Sequence, residues 1–215
     1  MPTNLAMEEF LPFFPLKLVV FPDEKLNLHV FEPRYKQLVS ECVAEGKSFG
    51  VPVFDTGIME FGSEMIVEKV VKAYPNGEMD IVARCTRVFE LVTFQEMVAG
   101  KLYAGGKVTF IENNKNGEAA QWSRLKELAA QLVEILRMDH KLNVADLTEE
   151  YQLAHKLGLS LAQEYDMLQM ENQSQRYEFL ISHMERAIPF VKEMERAKER
   201  IQLNGHFQHI DPLKF

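Results

Sequence analysis

Up to residue 111 the apolar positions fall in alternating or short continuous runs, and from residue 119 onward they recur every three or four residues. Such a change of period predicts strands first and helices afterwards. Leu26, Leu28 and Val30 alternate with polar neighbours, and Val19, Val20 and Phe21 form a continuous run, so both segments are expected as strands. Pro33 then suits the first position of a helix, where its missing N–H and fixed φ do no harm. Behind it Tyr35, Leu38, Val39 and Cys42 recur at i, i+3, i+4 and i+7, one apolar helix face that ends near Gly46. Phe49 to Phe54 is apolar with Pro52 inside it, the mark of an edge strand or a bulge. Met65 to Ala73 and Met79 to Leu91 read as a hairpin through Tyr74-Pro75-Asn76-Gly77, because Asn-Gly accepts positive φ. Tyr103 to Ile111, interrupted by Gly105-Gly106, is the last expected strand.

The polar run Glu112 to Glu118 replaces periodicity with turn formers and charges, which sets an expected boundary between a domain at 1–115 and a helical domain at 116–215. Trp122, Leu125, Ala129, Leu132 and Leu136 make one helical stripe. Asp146 with Glu149, Ser160 with Gln163 and Asn172 with Gln175 each pair a capping residue with a partner three positions on, so further helices are expected near residues 147, 161 and 173. The last of these runs towards Leu203 with Tyr177, Ile181, Met184, Ile188 and Val191 inward, and Pro189 is expected to kink it. The tail NGHFQHIDPLKF has no period and reads as loose chain.

Composition narrows the class further. With 47% hydrophobic and 26% charged residues the chain is an ordinary globular sequence able to bury a core. The net charge of -8 is shared evenly between residues 1–115 and the rest, so neither part is a basic module and nucleic-acid binding is disfavoured. Two cysteines without CxxC spacing read as reduced thiols, and no run approaches the length of a membrane span, so a cytoplasmic location and no membrane partner are expected.

The opening stretch FLPFFPLKLVVFPDEKLNLHVFEPRY, with its LPFFPL, VVFP and VFEPRY segments, resembles the start of the Lon N-terminal domain family. YQLAHKLGLSLAQEYDMLQM also resembles that family's short-helix segment, and the likeness is traceable to about Leu203. The resemblance implies an α+β fold: a pseudouridine-synthase-and-archaeosine-transglycosylase-like (PUA-like) β-barrel with one inserted helix, then a C-terminal helical bundle with a long final helix. It also implies a stand-alone, non-catalytic protein without cofactor that recognises unfolded or exposed apolar polypeptide segments, with a separate ATP-dependent protease as a partner. Apolar segments would lodge between the barrel and the helical half, or add a strand to an open sheet edge. PUA-like barrels hold RNA elsewhere, which makes an RNA-binding module the alternative.

Searches for chemistry return little. Gly46-Lys47-Ser48 copies the tail of a phosphate-binding loop, but Glu41 stands where the first glycine belongs and the segment closes a helix. Neither the Lon protease serine segment nor a G-x-S-x-G elbow is present, and Ser123, Ser160 and Ser174 read as helix-start residues. His206 and His209 offer two metal ligands with only Asp211 nearby, short of the three or four that zinc takes. Within the family motif Glu32, Pro33, Arg34 and Tyr35, Arg34 is either a carboxylate clamp or a structural ion-pair partner. Phe10, Phe14, Met138, Met167 and Met170 are the candidates for a polypeptide-binding surface, against the other reading that they fill the core.

Overall fold

The structure, a computed structural model, describes residues 7–137 and 142–206, the side chains of 202–206 excepted. Its elements in chain order are β1 (Glu9–Phe13), β2 (Lys25–Val30), α1 (Pro33–Glu45), β3 (Phe49–Phe54), β4 (Ile58–Ala73), β5 (Met79–Leu91), β6 (Ala104–Phe110), α2 (Ala119–Leu136), α3 (Tyr151–Ala154), α4 (Leu161–Leu168) and α5 (Gln173–His206). They form two compact units, one made of the chain up to Asn114 with Tyr151–Glu171, the other of Lys115–Glu150 with the chain from Asn172 on. The polar run at Glu112 to Glu118 thus contains one crossing, and the chain crosses twice more because α3 and α4 belong with the sheet.

In the first unit the strands pair in the order β2-β5-β4-β3-β1-β6, and β5 also pairs with β6, so β5, β4, β3, β1 and β6 are linked in a cycle. β1 lies parallel to β3 through Phe13 and Gly50 and antiparallel to β6 from Glu9 to Phe13. Because successive side chains on a strand point to opposite faces, the neighbours Phe13 and Phe14 enter different cores. Phe13 packs with Leu11, Phe89 and Val108. Phe14 packs with Tyr35, Leu38 and Phe49. The inserted α1 buries Tyr35, Leu38, Val39 and Cys42, the face that the spacing predicts, and ends at Gly46, which takes φ 64°. Pro52 sits beside a register shift between β3 and β4, and β3 is flanked on both sides, so Pro52 marks a bulge and not an edge.

Three expectations give way. Val19, Val20 and Phe21 are buried but form no strand. Their backbone turns instead: the Glu24 N–H donates to the Phe21 carbonyl at 3.0 Å, and the Phe21 N–H donates to the Glu24 carboxylate at 2.9 Å. β4 begins at Ile58, well before the expected Met65, as Gly62, Ser63 and Glu64 continue its pairing with β3 and β5. The expected cap Asp146 instead closes a 3-10 turn, Val144–Asp146, whose cap is Asn143. Ser160 and Gln163 do form the expected reciprocal cap of α4.

α3 and α4 are tied to the segment before β2 through His155. Its Nδ1 lies 2.7 Å from Glu164 and its Nε2 3.1 Å from Glu24, while Phe21 stacks on Tyr151. The hydrogen bond to Glu24 and that to Glu164 outweigh burial and push the His155 pKa up from 6.5 to about 9. Since the folded value is the higher one, this tie contributes fully below pH 6.5 and is lost as pH rises through about 9. Thermal melts of wild type and His155→Ala are expected to differ most at about pH 6.5, the ordinary histidine value, and to converge above about pH 9.

In the second unit α2 and α5 run parallel: Gln121, Arg124 and Arg137 bond Glu178, Glu185 and Glu199 in the same chain order. Leu125, Leu128 and Leu132 of α2 and Tyr177, Leu180, Met184 and Ile188 of α5 are buried. α5 continues as one helix through Pro189.

Candidate functional site

An aromatic-lined hollow of the first unit lies where β1, the start of α1, the β3–β4 turn and the segment after β5 meet. Its volume is about 550 Å3 and its walls include Phe13, Tyr35, Phe54, Ile58 and Phe94, with Arg34 and Glu96 as its charged members. Each wall has a local cause. Phe13 is anchored in the core, and Phe94 stacks on it with centroids 6.2 Å apart and ring planes 8° from parallel. The segment carrying Phe94 is pinned to β6 by two hydrogen bonds between Gln95 and Gly105, at 2.8 and 3.0 Å. That approach is close enough to require glycine at 106, where a Cβ would fall 1.9 Å from the Thr93 carbonyl oxygen.

Phe54 and Phe94 are each 40% exposed, so two aromatic rings line this hollow with a large part of their surface still in water. Burying such surface is worth about 25 cal/mol per Å2 to whatever covers it. At the rim, Arg34 stacks 4.5 Å over the Tyr35 ring and holds Glu32 through Nε and Nη2 at 2.9 and 2.8 Å. Arg34 is thus engaged with an acid two residues away while still bordering the groove.

A second cleft, about 740 Å3, is polar and differs in kind. Lys101 and the Tyr103 hydroxyl donate to Glu41 and hold its carboxyl below the usual range. Burial works to raise Glu64, but hydrogen bonds from Arg87, Thr86 and Ser48 outweigh it and keep the group ionised. Burial pushes Cys42 up to about 11 and Cys85 to about 12, which leaves both thiols protonated and unreactive at neutral pH. The carboxylates Glu41 and Glu64 are answered by their own neighbours, an arrangement that stabilises a fold and leaves neither poised to move a proton. Among the described residues, no group of three His, Cys, Asp or Glu is placed to hold a metal, and no helix is long and apolar enough to cross a membrane.

Residues 10–186 match the family model of the ATP-dependent protease La (LON) substrate-binding domain. The chain belongs to this family. A solved Lon N-terminal domain protein from Xanthomonas campestris is 27% identical, with a TM-score of 0.64 over 81% of this chain and 98% of that one. The N-terminal domain of a Mycobacterium avium complex Lon protease shares the fold at 16% identity, with a TM-score of 0.64 over 82% of this chain and 98% of its own. No curated protein matches the chain. The α+β architecture, a six-stranded sheet with C-terminal helices, is that of Lon N-terminal domains, and the family role is substrate binding.

The Lon-family motif sits at the groove: Glu32 precedes α1, Pro33 opens it, and Arg34 and Tyr35 line the hollow. The four apolar candidates among the described residues do not come together. Phe10 is half-exposed and lines the polar cleft. Phe14 and Met167 are buried, which corrects their reading as contact surface: both fill the core, as large apolar side chains usually do. Met170 is half-buried beside Tyr151 and Leu168 in a separate hollow, and Met138 lies outside the described residues. His209 and Asp211 lie outside them too, and the His206 side chain is not described. Sequence reasoning missed Phe54 and Phe94, which no local spacing joins to the motif.

Proposed function

We propose that this Lon-family protein captures unfolded or partly folded polypeptides, taking apolar side chains into the groove between Phe13, Tyr35, Phe54 and Phe94, and that it does so without catalysis. The observation that carries the reading is the pair of rings left 40% exposed beside the family motif. Arg34 at the rim supplies a cation for the main-chain carbonyls or acidic side chains of the bound segment. In this reading the cyclic pairing of five strands is a PUA-like barrel whose rigidity holds the rings apart. The protein acts in the cytoplasm and passes bound chains to a separate ATP-dependent protease.

Strand addition is the weaker mode. The part of β4 beyond Met65, past its pairing with β3, has register shifts at Val67/Lys69 and Val70/Lys72 and presents Lys69 and Lys72. Bulges and lysines are devices that blunt an edge. Fluorescence anisotropy with an apolar labelled peptide tests the groove: Phe54→Ser with Phe94→Ser is expected to weaken binding at least about tenfold, the scale of one interface hot spot. Undiminished affinity in a folded double variant would remove the groove from the mechanism, and tighter, salt-sensitive binding of single-stranded RNA would replace the polypeptide reading.

A further inference from the structure

The second half of α5 carries apolar side chains that the core does not use. Phe190, Met194 and Ile201 are 64%, 44% and 71% exposed. With Ala187 and Ala197 they recur at spacings of three, four, three and four, which is the seam of a coiled coil, with Ala187, Met194 and Ile201 at a and Phe190 and Ala197 at d. At 3.6 residues per turn this seam lies on the side of the helix opposite Glu178, Glu185 and Glu199, the residues that bond α2. Leu180, one heptad before Ala187, is buried with Tyr177, Met184 and Ile188, so the free seam starts at Ala187, and its centre lies roughly 100° round the helix from that buried face.

We propose that the seam pairs with the same seam of a second copy of this chain. The charges beside it are self-complementary. Glu193 takes a g position and Lys198 an e position, so a parallel pair sets each Glu193 against the other copy's Lys198. In the antiparallel alignment that faces Ile201 with Phe190, each Glu193 meets the other copy's Arg200. Either way an acid faces a base twice across one dyad, as a closed dimer requires. From Phe190 to Ile201 the seam is roughly 17 Å long, so the dimer is weak and forms in a concentration-dependent way.

Sedimentation velocity of the full chain over a concentration series is expected to show a reversible monomer–dimer exchange. Met194→Glu and Ile201→Glu each abolish the dimer and, because both sites are exposed, leave helix content and the melt unchanged. Glu193→Lys weakens it, and one added change restores it, Lys198→Glu if the pair is parallel or Arg200→Glu if it is antiparallel, which tells the two orientations apart. A sample still monomeric at millimolar concentration overturns the proposal. So does a dimer indifferent to Met194→Glu and Ile201→Glu, and so does failure of both charge reversals to restore the Glu193→Lys variant.

Discussion

Glu150→Ala is expected to destabilise the helical unit by about 3 to 5 kcal/mol, the usual result of breaking a buried ion pair by removing one partner. Arg176 and Glu150 are 1% and 0% exposed, with Nε 2.6 Å from the carboxylate, and Gln173 donates to the second oxygen at 3.0 Å. Deleting the carboxylate takes away the charge that the buried Nε faces at 2.6 Å, and the cost is that of weakening the compensation of a charge already out of water. The pair itself is another matter. Replacing both members by apolar residues of similar volume, Glu150→Leu with Arg176→Met, is expected to be far milder than the single change, since a buried pair roughly breaks even against well-packed apolar groups. The readout is at hand: the chain's one tryptophan, Trp122, stacks on Tyr177 in the same unit with centroids 5.6 Å apart, so its fluorescence follows the melting of this unit. Equal loss in the single and double variants would mean that packing, and not charge, governs the site.

Where physics is local, the sequence could be read. α1 was legible because proline, the i, i+3, i+4, i+7 stripe and Gly46 state its start, face and end within a few residues. The β4–β5 hairpin followed from Asn76-Gly77, where Gly77 does take φ 79°. Val19 to Phe21 misled, since burial was inferred correctly and strand pairing was not: Pro22 ends the run after three residues, and Glu24 closes a turn there by accepting from the Phe21 N–H. Among the caps, Ser160 with Gln163 was legible, and Asn172 does precede α5 with its Nδ2 3.5 Å from Gln175 Oε1, while its side-chain oxygen accepts from Asn116, a partner 56 positions away that no local spacing reveals. The groove was the least legible feature. Its walls come from residues 13, 35, 54, 58 and 94, brought together only by the sheet order, and Phe94 sits in a stretch without regular structure.

Phe14→Ala is expected to cost about 3 to 5 kcal/mol and to lower the melting temperature by about 10 °C, the outcome for a core ring and the opposite of that for a groove residue. Five large apolar residues between Phe10 and Leu16 exceed what one strand face can bury, which made an exposed surface plausible from sequence. The excess disappears once β1 has a core on each side. Phe13 enters the cluster with Phe89, and Phe14 enters the other, its ring 3.8 Å from that of Tyr35 and its N–H donating to the Gly50 carbonyl at 2.8 Å. Truncating Phe14 therefore opens a cavity under the very tyrosine whose neighbour, Arg34, borders the groove. Two effects are then separable. The melt falls because a packed ring is lost, whereas the peptide affinity of the molecules that remain folded stays within a few-fold of wild type, because Phe54 and Phe94 keep their exposed faces. Phe54→Ser with Phe94→Ser gives the reverse pattern, with affinity lost and the melt changed far less. If Phe14→Ala left the melt in place, the two-sided packing of β1 would be wrong, and with it the reason for taking the binding surface to Phe54 and Phe94.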